Sequence, residues 1–263
     1  MALILILVLS LTYLTYLGGL GELPPNDVRL IAKNYLNLTY NPYVKSLWAS
    51  SPEAVTAIVW DYRGLDTLFE TVVFYGAVLA AITLFRKVAK EKDMLQSKGM
   101  SVVVKRATAI VTVAMLTVAF STALHGHLTP GGGFQAGAIG AVAPLVMIVV
   151  FGKRYLEDRG LSYGRLLSLR NLALTGIGVT SIALFTYALI QGGFSFIFQN
   201  QGKSLSPYSF PSYTLDVPSG GILLFFNVFE FLAVLAGFTL VFLILLGSDE
   251  LLSKEFEGGE NGY

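Results

Sequence analysis

An acidic residue, Glu230, interrupts the apolar run FFNVFEFLAVLAGF near the C-terminal end of the sequence. No lysine or arginine lies one helical turn away, and Asn227, three residues earlier, falls on the same helical face. Because a carboxylate in a lipid-spanning helix is costly unless it is paired or hydrated, it is seldom exposed to lipid. Two interpretations follow: a relay site for protons or cations, or a hydrogen-bonded acid that fixes packing against a partner helix.

A second group of ionisable residues occurs in the run WDYRGLDTLFET: Asp61, Arg63, Asp66 and Glu70. Asp66 and Glu70 are four residues apart and therefore share a face at the start of an apolar helix. Acids at a membrane edge with one arginine indicate the mouth of an ion path. Alternatively, Asp66 is a helix N-cap and Arg63 its counter-ion, which is the interpretation favoured for Asp61 and Asp66. Glu70 lies one turn deeper and stays a candidate for the ion path.

The two histidines of the chain, His125 and His127, precede a glycine-rich segment in the run STALHGHLTPGGGFQAGAIG. A metal site needs a third ligand, and none is close in sequence, so no metal is predicted. Imidazole titrates near neutral pH, which keeps a role in proton access open. The glycines indicate a tight connection between two helices, and Gly137 and Gly140 give the second helix a face that another helix can approach closely.

The segment 131–136 formally fits the Gly-x-Gly-x-x-Ala dinucleotide pattern. It follows an apolar span, however, and not a strand of a βαβ unit. The acidic residue at the required distance, Glu157, falls on the opposite side of the membrane. Nucleotide binding is therefore rejected, and no cofactor is predicted in this chain.

The composition places these residues in a membrane. Of 263 residues, 54% are hydrophobic and 13% are charged, about half the charged fraction of a soluble globular domain. High hydrophobicity excludes a disordered protein, and the absence of cysteine excludes disulfide-stapled domains and cysteine-ligated zinc or iron–sulfur sites. The net charge of +1 gives no basis for binding nucleic acid. An all-α integral membrane protein is predicted.

Apolar stretches long enough to span a bilayer predict about six transmembrane helices, arranged as two plus four. They lie at 1–20, 67–85, 102–124, 132–151, 171–192 and 219–247. The first lacks a basic flank and a small-residue cleavage site, so it is interpreted as a retained helix and not a signal peptide. Residues 86–106 carry seven Lys/Arg and residues 152–170 carry five. Both loops are therefore predicted to be cytoplasmic, as are both termini, in a multi-pass protein of the cytoplasmic membrane.

The polar stretch KVAKEKDMLQSKGM separates two predicted units. We expect a two-helix unit at 1–90, a cytoplasmic linker at 91–100, a four-helix unit at 101–250 and an acidic cytoplasmic tail at 251–263.

The eleven-residue run HGHLTPGGGFQ, from His125 to Gln135, resembles the hallmark of the MnhB/MrpB subunit of Mrp-type multisubunit Na⁺/H⁺ antiporters. The surrounding residues 98–250 are similar to that family in length and helix count. The last helix of that family often carries an aspartate after a phenylalanine. The corresponding place here is Phe226-Asn227, with Glu230 one turn later.

Residues 51–85, with Asp61, Arg63, Asp66 and Glu70, resemble the C-terminal end of the large MrpA subunit of the same antiporters. A similar segment forms the MbhE-like subunit of membrane-bound hydrogenase-type complexes, beside a B-like subunit. The two resemblances together imply a respiratory complex related to complex I, of the ferredoxin-dependent hydrogenase or sulfur reductase type.

The resemblance implies a non-catalytic membrane subunit that helps to form an ion translocation path. Its implied partners are other membrane subunits of an Mrp-type module, redox subunits that carry iron–sulfur clusters, lipid, and Na⁺ or H⁺. A subunit of a free-standing antiporter and a purely structural brace remain alternatives. The candidates for the ion path are Glu230, Glu70, His125, His127, Asn227 and Asp66.

Overall fold

The structure is a computed structural model that describes residues 2–19, 28–45, 47–85 and 100–245. Most of the predicted linker at 91–100 and the whole of the predicted tail at 251–263 lie outside the described residues. The chain divides into two compact units, residues 1–37 and 38–263, which are described separately.

The first unit contains helix α1, Ala2–Tyr16, and most of helix α2, Leu30–Thr39. The 15 residues of α1 extend about 22 Å at the usual helical rise, which is less than the hydrocarbon thickness of about 30 Å. The predicted span at 1–20 is therefore an apolar helix shorter than a full crossing. Helix α2 was not predicted, because its sequence LIAKNYLNLT is too polar and too short to be recognised from hydropathy.

Among its described residues, the second unit holds five helices that are long and apolar enough to cross a membrane. Their bounds are Gly64–Leu84 (α4), Val102–His125 (α5), Gly133–Phe151 (α6), Tyr163–Ile190 (α8) and Ile222–Leu245 (α9). These five confirm five of the six predicted spans. Helix α8 begins eight residues earlier than the predicted start at 171, because hydropathy excluded its basic first turns.

Shorter elements connect these helices. Helix α3, Ala54–Thr56, runs into a single π-helical turn, Ala57–Tyr62, called the π-turn below. Helix α7, Lys153–Asp158, follows α6. Strands β1, Tyr213–Thr214, and β2, Val217–Pro218, form a small antiparallel hairpin in which Tyr213 pairs with Pro218.

Helix α9 is the central element of the second unit. It packs against α6 and α8 and also contacts α4, α5 and the π-turn. Small residues allow its close approach to α6, because a Cβ on Gly137 would lie 2.6 Å from the Cβ of Val234. A Cβ on Gly140 would lie 2.7 Å from a methyl group of Leu235. The predicted small-residue face of α6 is therefore confirmed.

Local signals explain where several helices begin and end. Ser101 caps α5 by accepting a hydrogen bond from the backbone N–H of Val104 at 3.3 Å. Gly152, with φ of 87°, ends α6 in a conformation that favours glycine. Hydrogen bonds between loops bring residues 40–45 and 47–63 together with residues 126–132 and 191–221 at one end of the unit. This end is called the loop end below.

Candidate functional site

The carboxylate of Glu230 lies inside the bundle near the loop end and is 7% exposed. The indole N–H of Trp60 and the backbone N–H of Phe134 face it, and the Glu70 carboxylate lies within Coulombic range. Phe134 is the second residue of α6, so its N–H belongs to the helical turn whose donors have no intrahelical partner. The N-terminus of α6 and the indole thus supply the polar neighbours that a membrane carboxylate needs.

Gly133 brings the start of α6 against the Glu230 turn of α9. A Cβ at position 133 would lie 2.5 Å from the carbonyl oxygen of Asn227 and 2.7 Å from Oε2 of Glu230. No other residue type fits at this distance. The glycine is therefore required by the contact between the two helices, in addition to the tight connection that the sequence indicates.

Asn227 lies against the backbone of residues 126–132. Its side chain is 1% exposed, and neither of its polar atoms has a hydrogen-bond partner within the described part of the chain. Its Nδ2 lies 2.7 Å from the position of a Cβ on Gly126, and its Oδ1 lies 3.8 Å from that of a Cβ on Gly132. Asn227 and Glu230 therefore line one face of the contact between α9 and the glycine-rich connection.

Residues 51–56 hold this connection in place. The Thr56 hydroxyl donates to the carbonyl of Gly126 at 2.6 Å and also approaches that of Gly131 at 3.3 Å. The Ser51 hydroxyl donates to the carbonyl of His127 at 2.7 Å. Polar side chains that precede the π-turn thus satisfy buried carbonyl groups of the glycine-rich segment.

The two histidines have different surroundings. His127 is buried, and its Nε2 donates to the carbonyl of Pro218 at 3.0 Å, which ties the glycine-rich connection to strand β2. Burial lowers the pKa of His127, which favours the neutral imidazole. His125 is exposed, and its Nδ1 donates to the carbonyl of Ser121 at 3.0 Å. Within the described residues, no three His, Cys, Asp or Glu side chains are grouped as metal ligands would be.

Glu70 and Asp66 lie on the exposed face of α4. Asp66 forms an ion pair with Arg63 one turn earlier, as the interfacial interpretation predicts. The N-cap position of α4 belongs to Arg63, however, and Asp66 lies inside the first turn. The prediction that Asp66 is the cap was therefore wrong, because the helix begins two residues before it. Asp66 interacts with the positive end of the helix from within the helix.

Asp61 is paired with a lysine from a different loop, a contact that neither interpretation of this group anticipated. Its carboxylate is 2% exposed, and Oδ2 lies 3.7 Å from Nζ of Lys203 in the segment 191–221. Burial raises the pKa of Asp61 to about 6, although Lys203 and the backbone N–H of Asn200 act in the opposite direction. The partner lies 142 positions away in the sequence, so local spacing gave no signal for this ion pair.

Other important residues were missed by the sequence analysis. Trp60 stacks on Phe226 with ring centroids 4.4 Å apart, which places its indole beside the Glu230 turn of α9. Asn200 donates to the carbonyl of Ala49 at 2.7 Å and accepts from the N–H of Ile222 at 3.0 Å, at the start of α9. The unusual run Gln199-Asn200-Gln201, buried throughout, was the available signal.

Comparison with known proteins identifies the family. Residues 103–240 match the family described as a domain related to the MnhB subunit of the Na⁺/H⁺ antiporter. The chain belongs to this family. The match confirms the resemblance carried by the HGHLTPGGGFQ run. An uncharacterized protein of Methanocaldococcus jannaschii is 28% identical over 222 residues, which cover 77% of this chain and 80% of that protein.

Two solved complexes contain similar chains. A chain of the membrane-bound sulfane sulfur reductase, an archaeal respiratory membrane complex, is 26% identical with a TM-score of 0.61. That match covers 93% of this chain and 97% of the other. A chain of the Mrp complex from Dietzia sp. DQ12-45-1b has the same fold, with a TM-score of 0.62 at 17% identity. It covers 94% of this chain but 26% of the longer one. This MnhB-family protein is thus an all-α membrane protein.

Proposed function

We propose that this protein is a non-catalytic membrane subunit of a multisubunit Mrp-related complex, and that it belongs to the ion-handling arm of a redox-driven respiratory complex. The similarity to a chain of the sulfane sulfur reductase extends over nearly the full length of both chains, which supports the respiratory assignment. Because the sequence contains no cysteine, iron–sulfur clusters held by cysteine belong to other subunits. The complex lies in the cytoplasmic membrane with the loop end of this subunit outside, as the basic loops indicate.

Glu230 is the central residue of the ion path in this proposal. The observation that supports it is a buried carboxylate that has polar neighbours from α6 and the π-turn but no cationic partner among the described residues. A carboxylate in this setting can exchange a proton or a cation without the competition of a fixed ion pair. The nearby Glu70 carboxylate is a second group that can bind the transported ion, and it lies toward the surface of α4.

Glu70 also indicates where another subunit contacts this one. It is exposed on the surface of α4, within a helix long enough to cross the membrane. A carboxylate at this depth is rarely lipid-facing. In the complex, Glu70 is therefore covered by a neighbouring membrane subunit, and the path continues between the two subunits.

Glu230→Gln in the assembled complex tests the proposal. The substitution keeps the shape and a hydrogen-bonding group but removes the charge, so we expect at least about a tenfold loss of ion translocation, equivalent to about 1.4 kcal/mol. Translocation is measured in vesicles that contain the purified complex, with redox activity and subunit content measured in parallel. Glu157→Gln, at the opposite end of the bundle, is the matched control.

A structural brace is the second candidate, since Gly133 packs tightly on the Glu230 turn. If Glu230→Gln assembles normally and translocates ions at the rate of the unmodified complex, the brace is correct and the ion path does not use this residue. A free-standing antiporter makes a different prediction, namely ion exchange by the complex without any electron donor.

A further inference from the structure

Asp61 is a buried carboxylate outside the ion path described above. Its side chain is 2% exposed, and its Oδ2 has no hydrogen-bond partner within the described residues. Lys203 is the charged group that faces it, at 3.7 Å, and its own side chain is 22% exposed. The remaining polar neighbour is the backbone N–H of Asn200, from the same segment as Lys203. The partly exposed group beside this buried acid is thus the side chain of Lys203.

Asp61 combines two features: it forms an ion pair with Lys203, and it lies in an irregular helical turn. Asp61 belongs to the π-turn, which the backbone N–H of Arg63 closes by donating to the carbonyl of Ile58 at 2.9 Å. π-Helical turns within helical segments are frequent at functional sites. The preceding residue is Trp60, whose indole faces Glu230. A change in charge at Asp61 therefore occurs one residue from a contact of the candidate ion path.

The groups around Asp61 favour a proton over a metal cation as the ligand. A single carboxylate beside an ammonium group does not attract a metal cation, because Lys203 already occupies the position of the counter-ion. A proton needs one oxygen and no further ligand, and Oδ2 of Asp61 is a buried oxygen without a hydrogen bond. Proton binding also removes the cost of a buried charge.

We propose that Asp61 is a proton-binding site at the loop end of the bundle, and that proton binding breaks its ion pair with Lys203 and releases residues 202–206 from the π-turn. The turn that carries Lys203 is closed by reciprocal backbone hydrogen bonds between Lys203 and Ser206, at 2.7 and 3.0 Å. The side-chain amide of Gln199 also donates to the carbonyl and the hydroxyl of Ser206 at 3.2 and 3.0 Å, so the turn keeps this attachment at Ser206 when the lysine loses its partner. Burial raises the pKa of Asp61 to about 6, which makes the site responsive to mildly acidic conditions. The site does not depend on Glu230 carrying ions.

Infrared spectroscopy of the intact complex tests proton binding. We expect the pH-induced difference spectrum of the unmodified complex to contain a carboxylic acid band with a midpoint near pH 6, and we expect Asp61→Asn to lack this band. Because Lys203 lowers the pKa of Asp61, Lys203→Met moves the midpoint to higher pH. Asp66→Asn, which alters an exposed carboxylate of the same segment, leaves the band unchanged. A band that persists in Asp61→Asn, or a midpoint that Lys203→Met does not move, overturns the proposal.

Hydrogen exchange at a fixed pH, about two units above the midpoint, tests the release of residues 202–206. Asp61→Asn has no charge at any pH and represents the protonated state. We expect about two- to fivefold faster exchange in this segment for Asp61→Asn and for Lys203→Met, the range of a partly exposed ion pair. Asp66→Asn should exchange like the unmodified protein. Equal exchange in all four proteins contradicts the release of the turn. Proton binding by Asp61 is decided separately, by the infrared measurement.

Discussion

Three acids near the loop end differ in what surrounds their carboxylates. Glu230 is buried and faces N–H donors, Glu70 is exposed on α4, and Asp61 is buried beside Lys203. Residue type alone does not distinguish them. A buried acid without a cation can release its proton or exchange it for a cation, whereas a buried acid with a lysine is held by an ion pair whose strength depends on pH.

His127 gives a prediction at the same scale. Burial lowers its pKa in the folded chain below the ordinary value of about 6.5. As the pH falls through that value, the unfolded chain takes up a proton that the folded chain resists, so the free energy of unfolding falls by up to about 1.4 kcal/mol per pH unit. This loss continues until the pH reaches the pKa of the folded chain. Asp61 has the opposite effect. Its pKa is raised to about 6 in the folded chain, so the folded chain takes up a proton before the unfolded chain does, and the free energy of unfolding rises as the pH falls through that value.

The contribution of His127 is isolated by His127→Gln, which keeps an N–H donor for the carbonyl of Pro218 but does not titrate. We expect its thermal midpoint in detergent to decrease less than that of the unmodified protein on acidification below about pH 6.5. His125→Gln, at the exposed histidine, is the control. Parallel pH profiles for all three proteins are incompatible with a buried neutral imidazole at position 127.

At the scale of elements, the contact between α6 and α9 depends on glycine. Gly133→Ala places a methyl group within 2.7 Å of three atoms of the Asn227–Glu230 turn, so the helices must separate. We expect a loss of about 1–3 kcal/mol in the free energy of unfolding, the usual range for overpacking, measured by thermal unfolding in detergent. Gly178→Ala, in α8 where a Cβ meets nothing within 4 Å, should be neutral or stabilising. An unchanged midpoint for Gly133→Ala argues against this helix contact.

Elements formed by interactions between residues close in sequence could be predicted, whereas elements formed by contacts between distant residues could not. Hydropathy over about 20 residues located α4, α5, α6 and α9 closely, because burial in lipid acts on each helix separately. The π-turn carries no such local signal. The indole of Trp60 is positioned by stacking on Phe226, and the carboxylate of Asp61 is positioned by its ion pair with Lys203. Both partners are distant in the sequence. The candidate residues Asn227 and Glu230 were found because they are polar within an apolar run, whereas Trp60 and Asn200 look ordinary until the fold brings their partners together.

For the whole molecule, the arrangement of charge predicts an orientation in the membrane. The described connection between α6 and α8 carries Lys153, Arg154 and Arg159, and the loop 191–221 at the opposite end carries Lys203 as its one basic residue. Basic loops remain on the cytoplasmic side during insertion. The loop end, with Asp61 and the glycine-rich connection, should therefore face the outside, which is also the side from which a proton would reach Asp61.

The absence of cysteine from the sequence makes this orientation directly measurable. Leu215→Cys introduces a thiol at a position that is 94% exposed in the loop 191–221, and Gly164→Cys introduces one in open space at the other end of the bundle. A membrane-impermeant maleimide should label this subunit through Leu215→Cys in intact cells and through Gly164→Cys only in inverted vesicles. The reverse pattern places the loop end in the cytoplasm, and proton uptake by Asp61 then occurs from the cytoplasmic side.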